Sequence, residues 1–323
     1  MTARRHIVAL CGGVGGAKLA HGLTKLLPPE DLTIVVNTGD DFEHLGLSIS
    51  PDIDTVAYTL SDLADRERGW GRKDESWNFM AALSAMGGED WFNLGDRDLA
   101  MHVERTRRLA VGESLSRATA GLTTALGIRH PVVPMSDDRV RTVVETADGG
   151  LAFQLYFVRE RCRPVVKAVR YDGAVAARPS AGLQGLLARD DVAAVVICPS
   201  NPYLSIDPIL AIPGVRAGLK ALGAPIVAVS PLIGGEALKG PAAKLMRELG
   251  AEPGVTALAR HYGGLLDGLV IDDADARHAG DLKATGLRAL VTDAVMRDDD
   301  DRLRLARDTV GFARSLAGAP APC

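Results

Sequence analysis

"HIVALCGGVGGAKLAHGL" (residues 6–23) sets an apolar run, a turn rich in glycine and a helical apolar pattern in immediate succession. His6 to Cys11 reads as a strand buried on both faces, because its interior is continuously apolar rather than alternating. Beyond the glycines, Leu19, Ala20, Leu23, Leu26 and Leu27 recur at helical spacing. A strand, a glycine turn and a helix start make the local frame of a phosphate cradle. Amides unhindered by Cβ atoms converge there, and the helix dipole favours an anion. A tight turn that holds no ligand is the competing reading.

The two familiar glycine fingerprints both miss. Counted from Gly12, a Walker loop meets Ala17, Lys18 and Leu19, so the hydroxyl that would ligate magnesium is absent. Counted from Gly13, a dinucleotide fingerprint finds Gly15 in place but Lys18 where the third glycine belongs. The candidate phosphate-binding residues are therefore Gly12, Gly13, Gly15 and Gly16, with Lys18 as a point charge.

"LTIVV" (32–36) is a second buried strand, which makes the opening a parallel crossover unit. The same pattern resumes in "VAAVVICPSNP" (192–202), "APIVAVSPLIGG" (224–235) and "LDGLVIDD" (266–273), with helical segments between. The fold class expected is α/β: a three-layer Rossmann-like core with a mainly parallel sheet, in one domain spanning 1–323. Apolar residues at intervals of three and four predict a helical insertion over about 55–130. Two β-rich runs in "VRTVVETADGGLAFQLYFV", flanking Asp148 to Gly150, predict a β-hairpin region over about 131–170, with "RPVVKAV" adding a strand. "DRLRLARDTVGFARSLAG" reads as a closing amphipathic helix.

Composition narrows the partners. A formal net charge of −4 with no long basic stretch gives no electrostatic case for nucleic acid or for an anionic membrane. No apolar stretch reaches membrane-spanning length, and the N-terminal apolar run is too short for a signal peptide. Cys11, Cys162, Cys198 and Cys323 lie too far apart for a zinc or iron–sulfur spacing. A cytoplasmic protein is expected, with a homodimer as the commonest assembly for such a chain.

The polar loop "NTGDDFEHLGLSISPDIDT" (37–55) brings Asp40, Asp41, Asp52 and Asp54 to a strand end. Carboxylates near phosphates suit Mg2+, and Asp40 and Asp54 are the candidate ligands; capping of a helix start is the alternative for Asp52 and Asp54. "WFNLGDRDLAMHVERTRRL" (91–109) places Arg97 ahead of a helix that carries His102, Arg105 and Arg108. Arg105 and Arg108 read as a salt-bridge network, and His102 as a packed side chain. "CPSNPYLSI" and "SPLIGG" follow apolar strands, so Ser200, Asn201, Ser230 and Gly234 share the ligand-facing edge of the sheet.

These blocks, together with "RGWGRKDESW", "SDDRVRT" and "RHYG", occur in order over nearly the whole chain, which resembles the 2-phospho-L-lactate transferase family of coenzyme F420 biosynthesis. The resemblance implies transfer of a phospho-acid unit from a GDP-linked donor to the terminal ribityl hydroxyl of the deazaflavin 7,8-didemethyl-8-hydroxy-5-deazariboflavin (Fo). The unit is 2-phospholactyl, phosphoenolpyruvyl or phosphoglyceryl, and the products are F420-0 or dehydro-F420-0 and GMP. It also implies that Asp54 and Arg97 contact Fo; Asp54 is the candidate catalytic residue, either as a magnesium ligand with Asp40 or by orienting the ribityl hydroxyl. Relatives of the same fold that bind nucleotide sugars as regulators form the alternative.

Overall fold

Seven strands form one parallel sheet: β1 (His6–Cys11), β2 (Leu32–Val36), β3 (Val132–Pro134), β4 (Val192–Ile197), β5 (Ile226–Val229), β6 (Gly268–Ile271) and β7 (Arg288–Val291). Their order across the sheet is β7-β6-β5-β4-β1-β2-β3, and every neighbouring pair is parallel. The computed structural model describes residues 5–317, so Cys323 lies outside the described residues.

Successive side chains of a strand point to opposite faces, and β1 shows the consequence. Val8 and Leu10 enter one core, while Ile7, Ala9 and Cys11 enter the other. On the second face α1 (Gly13–Leu26) packs through Leu19, Ala20 and Leu23 against Leu305, Ala306 and Val310 of the C-terminal helix Asp299–Leu316. Gly22 makes that crossing possible, since a Cβ there would lie 2.1 Å from the Arg302 carbonyl oxygen. Helices Val215–Ala221 and Val255–Tyr262 cover the first face. The layers are thus helix, sheet, helix, as the continuous apolar runs require.

Strand order reverses between β1 and β4. At such a switch point the loops leaving the two strands diverge to opposite faces, which opens a crevice at their carboxyl ends. The remaining elements wall this crevice. Between β2 and β3 the chain makes an antiparallel ribbon, Phe42–His44 with Leu47–Ile49. It continues through α2 (Pro51–Leu60), α3 (Asn78–Ala85), α4 (Asp98–Ala110) and α5 (Leu115–Ala125). After β3, Arg141–Thr146 pairs with both Gly149–Ala152 and Ala168–Asp172.

The expected second hairpin strand ends early. Residues Leu155–Arg159 wind into a single turn of wide helix instead. Winding buries Tyr156 completely and stacks Phe153 on Phe157, with centroids 5.3 Å apart; an extended continuation of the mostly exposed strand Gly149–Ala152 would have left half of these rings in water. The third strand likewise starts at Ala168, later than the centre of "RPVVKAV". No helix among the described residues is long and apolar enough to cross a membrane.

Candidate functional site

A cavity of about 900 Å³ occupies the switch point, a size suited to one or two organic ligands. Its floor is the meeting of the loop after β1 with the loop after β4. Gly12 donates its amide to Ser200 Oγ at 3.2 Å. A Cβ on Gly15 would sit 2.4 Å from the Pro199 carbonyl oxygen, and one on Gly16 would sit 2.4 Å from Ser200 Oγ. Gly13 has φ +63°, a conformation open to glycine at little cost. The glycines are therefore demanded first by the close approach of two strand-end loops.

The first four amides of a helix lack intrahelical acceptors. Ser200 and Asp52 already occupy two of the amides at this turn, Asp52 Oδ1 accepting from Gly13 at 2.6 Å. Val14 and Gly15, next in the turn, line the cavity. Lys18 lines it too, its Nζ donating to the Met296 carbonyl at 2.9 Å. Burial and the charge of nearby Arg302 lower the Lys18 pKa. Its ammonium is thus partly desolvated, and an anion would stabilise it.

Asp40 and Asp52 form the acidic side of the floor. Asn37 Nδ2 donates to Asp52 Oδ2 at 2.9 Å. Burial pushes the Asp52 pKa up to about 6, against the lowering effect of its bonds to Asn37 and Gly13. Burial, and then the charge of Asp52, raise Asp40 well above the carboxylate range. Asp40 Oδ1 is buried with no hydrogen-bond partner among the described residues. Two carboxylates with this shared need for positive charge fit a hard divalent cation, which takes one or two protein oxygens and fills its other positions with water and phosphate. Among the described residues the one cluster of three potential ligands is elsewhere, at His21, Asp62 and Asp299. Asp62 is paired with Arg66, and Asp299 with Arg66 and Arg302.

Asp54 departs from the expected metal role. Both of its oxygens are bound by Arg105, Oδ2 to Nη1 at 3.1 Å and Oδ1 to Nη2, and the Arg105 side chain is fully buried. A guanidinium on both oxygens supplies the charge that a metal would supply. The network continues along α4: His102 Nδ1 lies 3.6 Å from Asp54 Oδ2, and Nε2 lies 3.1 Å from Asp98 Oδ2. The Nε2 approach is an electrostatic contact without hydrogen-bond alignment. Tyr58 of α2 donates to Asp98 Oδ1. Burial works to raise the Asp98 pKa, but the His102 and Tyr58 interactions outweigh it and leave the pKa lowered.

The other expected residues divide. Ser200, Asn201 and Ser230 line the cavity, although the Ser230 hydroxyl is used locally by Leu232. Gly16 is packed under Ser200, and the Gly234 amide is given to Asp275 Oδ2 at 3.0 Å; neither belongs to the lining. Arg97 is exposed at the start of α4, next to Asp98, which does line the cavity. Its guanidinium makes no ion pair among the described residues.

Several lining residues escaped the sequence reading. Arg68, Lys239 and Arg297 put positive charge at the cavity. Trp70 is 46 % exposed, with Arg68 Cζ 5.0 Å from its ring centroid. A signal for this segment existed in the pair Gly69 and Gly71, both at positive φ and flanking Trp70.

A family model described as 2-phospho-L-lactate transferase CofD matches residues 7–306. A phosphoenolpyruvate transferase of Streptomyces griseus is 40 % identical over 316 residues, covering 96 % of this chain and 99 % of that protein. A 2-phospho-L-lactate transferase of Methanopyrus kandleri is also 40 % identical over 316 residues, covering 97 % and 99 %. A crystal structure of a UPF0052 family protein from Bacillus halodurans superposes with a TM-score of 0.62 at 16 % identity, covering 96 % of this chain and 100 % of that one. That last likeness concerns the fold alone.

Proposed function

This chain belongs to the 2-phospho-L-lactate transferase CofD family and is a transferase of that type; we propose that its cavity moves a phospho-acid unit from a GDP-linked donor to the terminal ribityl hydroxyl of Fo, releasing GMP. The observation that carries this reading is the meeting of the Gly12–Lys18 turn with the Ser200 loop beside the Asp40–Asp52 pair. It offers amides and a lysine to one diphosphate, and two carboxylates to a divalent cation that would accompany it.

In the proposed step the ribityl oxygen forms a bond to the phosphorus that carries the acid, the bond from that phosphorus to the GMP oxygen breaks, and the hydroxyl proton is released to solvent as GMP departs. Such a displacement asks for alignment and neutralisation of phosphoryl charge more than for covalent help. The amides of Val14 and Gly15 and the Lys18 ammonium receive the donor's oxygens. Asp54, fixed by Arg105, accepts a hydrogen bond from the ribityl hydroxyl and orients it, while Arg97 closes on the deazaflavin from the head of α4. Asp40, with Asp52 beside it, would hold Mg2+, which when bound neutralises diphosphate charge. The Ser200, Asn201 and Ser230 loops complete the guanosine side.

The test is Fo-dependent GMP release by the purified protein with Mg2+ and each guanylylated donor. The reading predicts release that needs both substrates. Tight binding of a UDP-sugar with no GMP release would instead select the regulatory alternative.

A further inference from the structure

One charge of the proposed donor still lacks a partner. Each candidate unit, whether 2-phospholactyl, phosphoenolpyruvyl or phosphoglyceryl, carries a carboxylate in addition to its phosphoryl group. A divalent cation at Asp40 and Asp52 would offset the diphosphate, and the amides of Val14 and Gly15 suit phosphoryl oxygens. The carboxylate then needs a cation of its own, because a charge moved out of bulk water is costly unless it is paired.

Among the described residues, the lysines and arginines that line the cavity are Lys18, Arg68, Lys239 and Arg297. Arg297 is committed to Asp293 at 2.8 Å and to Asp301 at 3.0 Å. Arg68 pairs with Asp65 at 3.1 Å and lies against the Trp70 and Trp77 rings. Lys239 makes no hydrogen bond or ion pair to any described residue, and Lys18 has only the neutral Met296 carbonyl. Lys239 follows the small ribbon of Leu232–Ile233 with Glu236–Ala237 and reaches the facing loop at Gly69, where a Cβ would collide with its Nζ. Gly69 also stands at φ +77°, so both its conformation and the space it leaves seat the lysine at the cavity rim. The Lys239 charge is felt by Lys18, whose pKa is lowered first by burial, then by Arg302, then by Lys239. Two ammonium groups within reach of one another, neither holding a carboxylate, are relieved by an anion that joins them.

We infer that Lys239 is a specificity-determining residue: its ammonium pairs with the carboxylate of the acid being transferred, and so separates an acid-bearing donor from a nucleotide diester that lacks one. The inference rests on the transferase reading of the cavity. With Lys18 on the phosphoryl oxygens and Lys239 on the carboxylate, the donor bridges the two ammonium groups and removes their repulsion. The bond that breaks lies on the GMP side of the phosphorus, so the carboxylate stays with the unit that moves. Lys239 therefore holds that unit while GMP departs, a contribution to alignment. It reads a group common to every candidate acid, so it admits the class without choosing among its members.

The experiment compares the parent with Lys239→Met and Lys239→Glu by calorimetric titration with Mg2+ and without Fo, after circular dichroism has established that each variant is folded. The ligands are the guanosine diphosphates linked to lactate, enolpyruvate and glycerate, and P2-ethyl GDP, which keeps the diphosphate diester and lacks the carboxylate. The parent should bind its best acid-bearing donor at least about tenfold more tightly than P2-ethyl GDP, the size of a charge-assisted pair in a cavity. K239M should weaken that donor at least about fivefold while P2-ethyl GDP stays within about twofold, and K239E should weaken it further. A parent without the preference overturns the inference, as does K239M with the preference intact. Equal weakening of both ligands also overturns it, by assigning Lys239 to the diphosphate. A parent that binds the acid-bearing donors yet releases no GMP when Fo is added contradicts the transferase reading separately.

Discussion

Asp52 Oδ1 lies 2.6 Å from the Gly13 amide that donates to it, so the acidic loop after β2 is tied to the glycine turn after β1. The turn is thereby positioned from two sides, because the neighbouring Gly12 amide is held by Ser200 of the β4 loop. Three strand ends become one rigid floor. The mismatch of this turn with the Walker and dinucleotide patterns has a physical origin here, since its glycines answer to contacts with Pro199, Ser200 and Asp52.

Gly15→Ala tests that floor. The new Cβ would meet the Pro199 carbonyl oxygen at 2.4 Å, a backbone atom that cannot swing aside. Overpacking of this kind costs about 1–3 kcal/mol, to be read from urea unfolding. Donor KM should rise along with the loss of stability. An alanine variant with parental stability and KM would mean that the two loops do not touch as described.

Asp54 should be probed by two substitutions that separate charge from chemistry. Removing the carboxylate in Asp54→Ala strands the fully buried Arg105 guanidinium, and breaking a buried pair in this way costs about 3–5 kcal/mol. The expected result is a large fall in thermal midpoint as well as lost turnover. Asp54→Asn keeps an acceptor for Arg105, so it should retain more stability while still losing most of its turnover. Equal stability in parent and alanine variant would remove the buried pair from the account.

Arg97 gives the opposite pattern. Its side chain is exposed, and surface substitutions away from special features change stability by only about 0.5 kcal/mol. Arg97→Ala should leave the thermal midpoint almost unmoved while raising KM for Fo, with donor KM unaffected. Normal Fo kinetics would end its assignment.

Asp41 sets a pH dependence of stability. Burial pushes its pKa from 3.8 to about 7, against the lowering influence of Arg141 and Arg105. A folded pKa above the unfolded one favours the protonated form, so this contribution to stability is present below about 4 and is lost as pH rises through about 7. Asp41→Asn imitates the neutral form, and Ser50 can still donate to it. Its midpoint relative to the parent should improve from pH 5 to about pH 7 and then level off in chelator-treated protein; a difference independent of pH would show that Asp41 is ionised throughout.

Much of this was legible in the sequence where the physics is local. β1, β2, β4, β5 and β6 are buried on both faces, so they read as continuous apolar runs. β3 and β7 lie at the sheet edges; β3 has only three residues, and in β7 Arg288 and Val291 are exposed, so the apolar pattern dissolves. The run from Leu155 to Val158 could not be told from a strand, because its helical winding is decided by the stacking of Phe153 on Phe157. The glycine turn and the acidic loop were legible as blocks. Their division of labour was not, since Arg105 reaches Asp54 from 51 residues away.

The central claim is decided by the mass of the deazaflavin recovered after the protein is incubated with Fo, Mg2+ and each guanylylated phospho-acid in turn. The account predicts that Fo gains the mass of one phospho-acid unit with at least one donor, with one GMP released per product molecule. Recovery of unaltered Fo from every incubation, whether the donors remain intact or are merely hydrolysed, would contradict it.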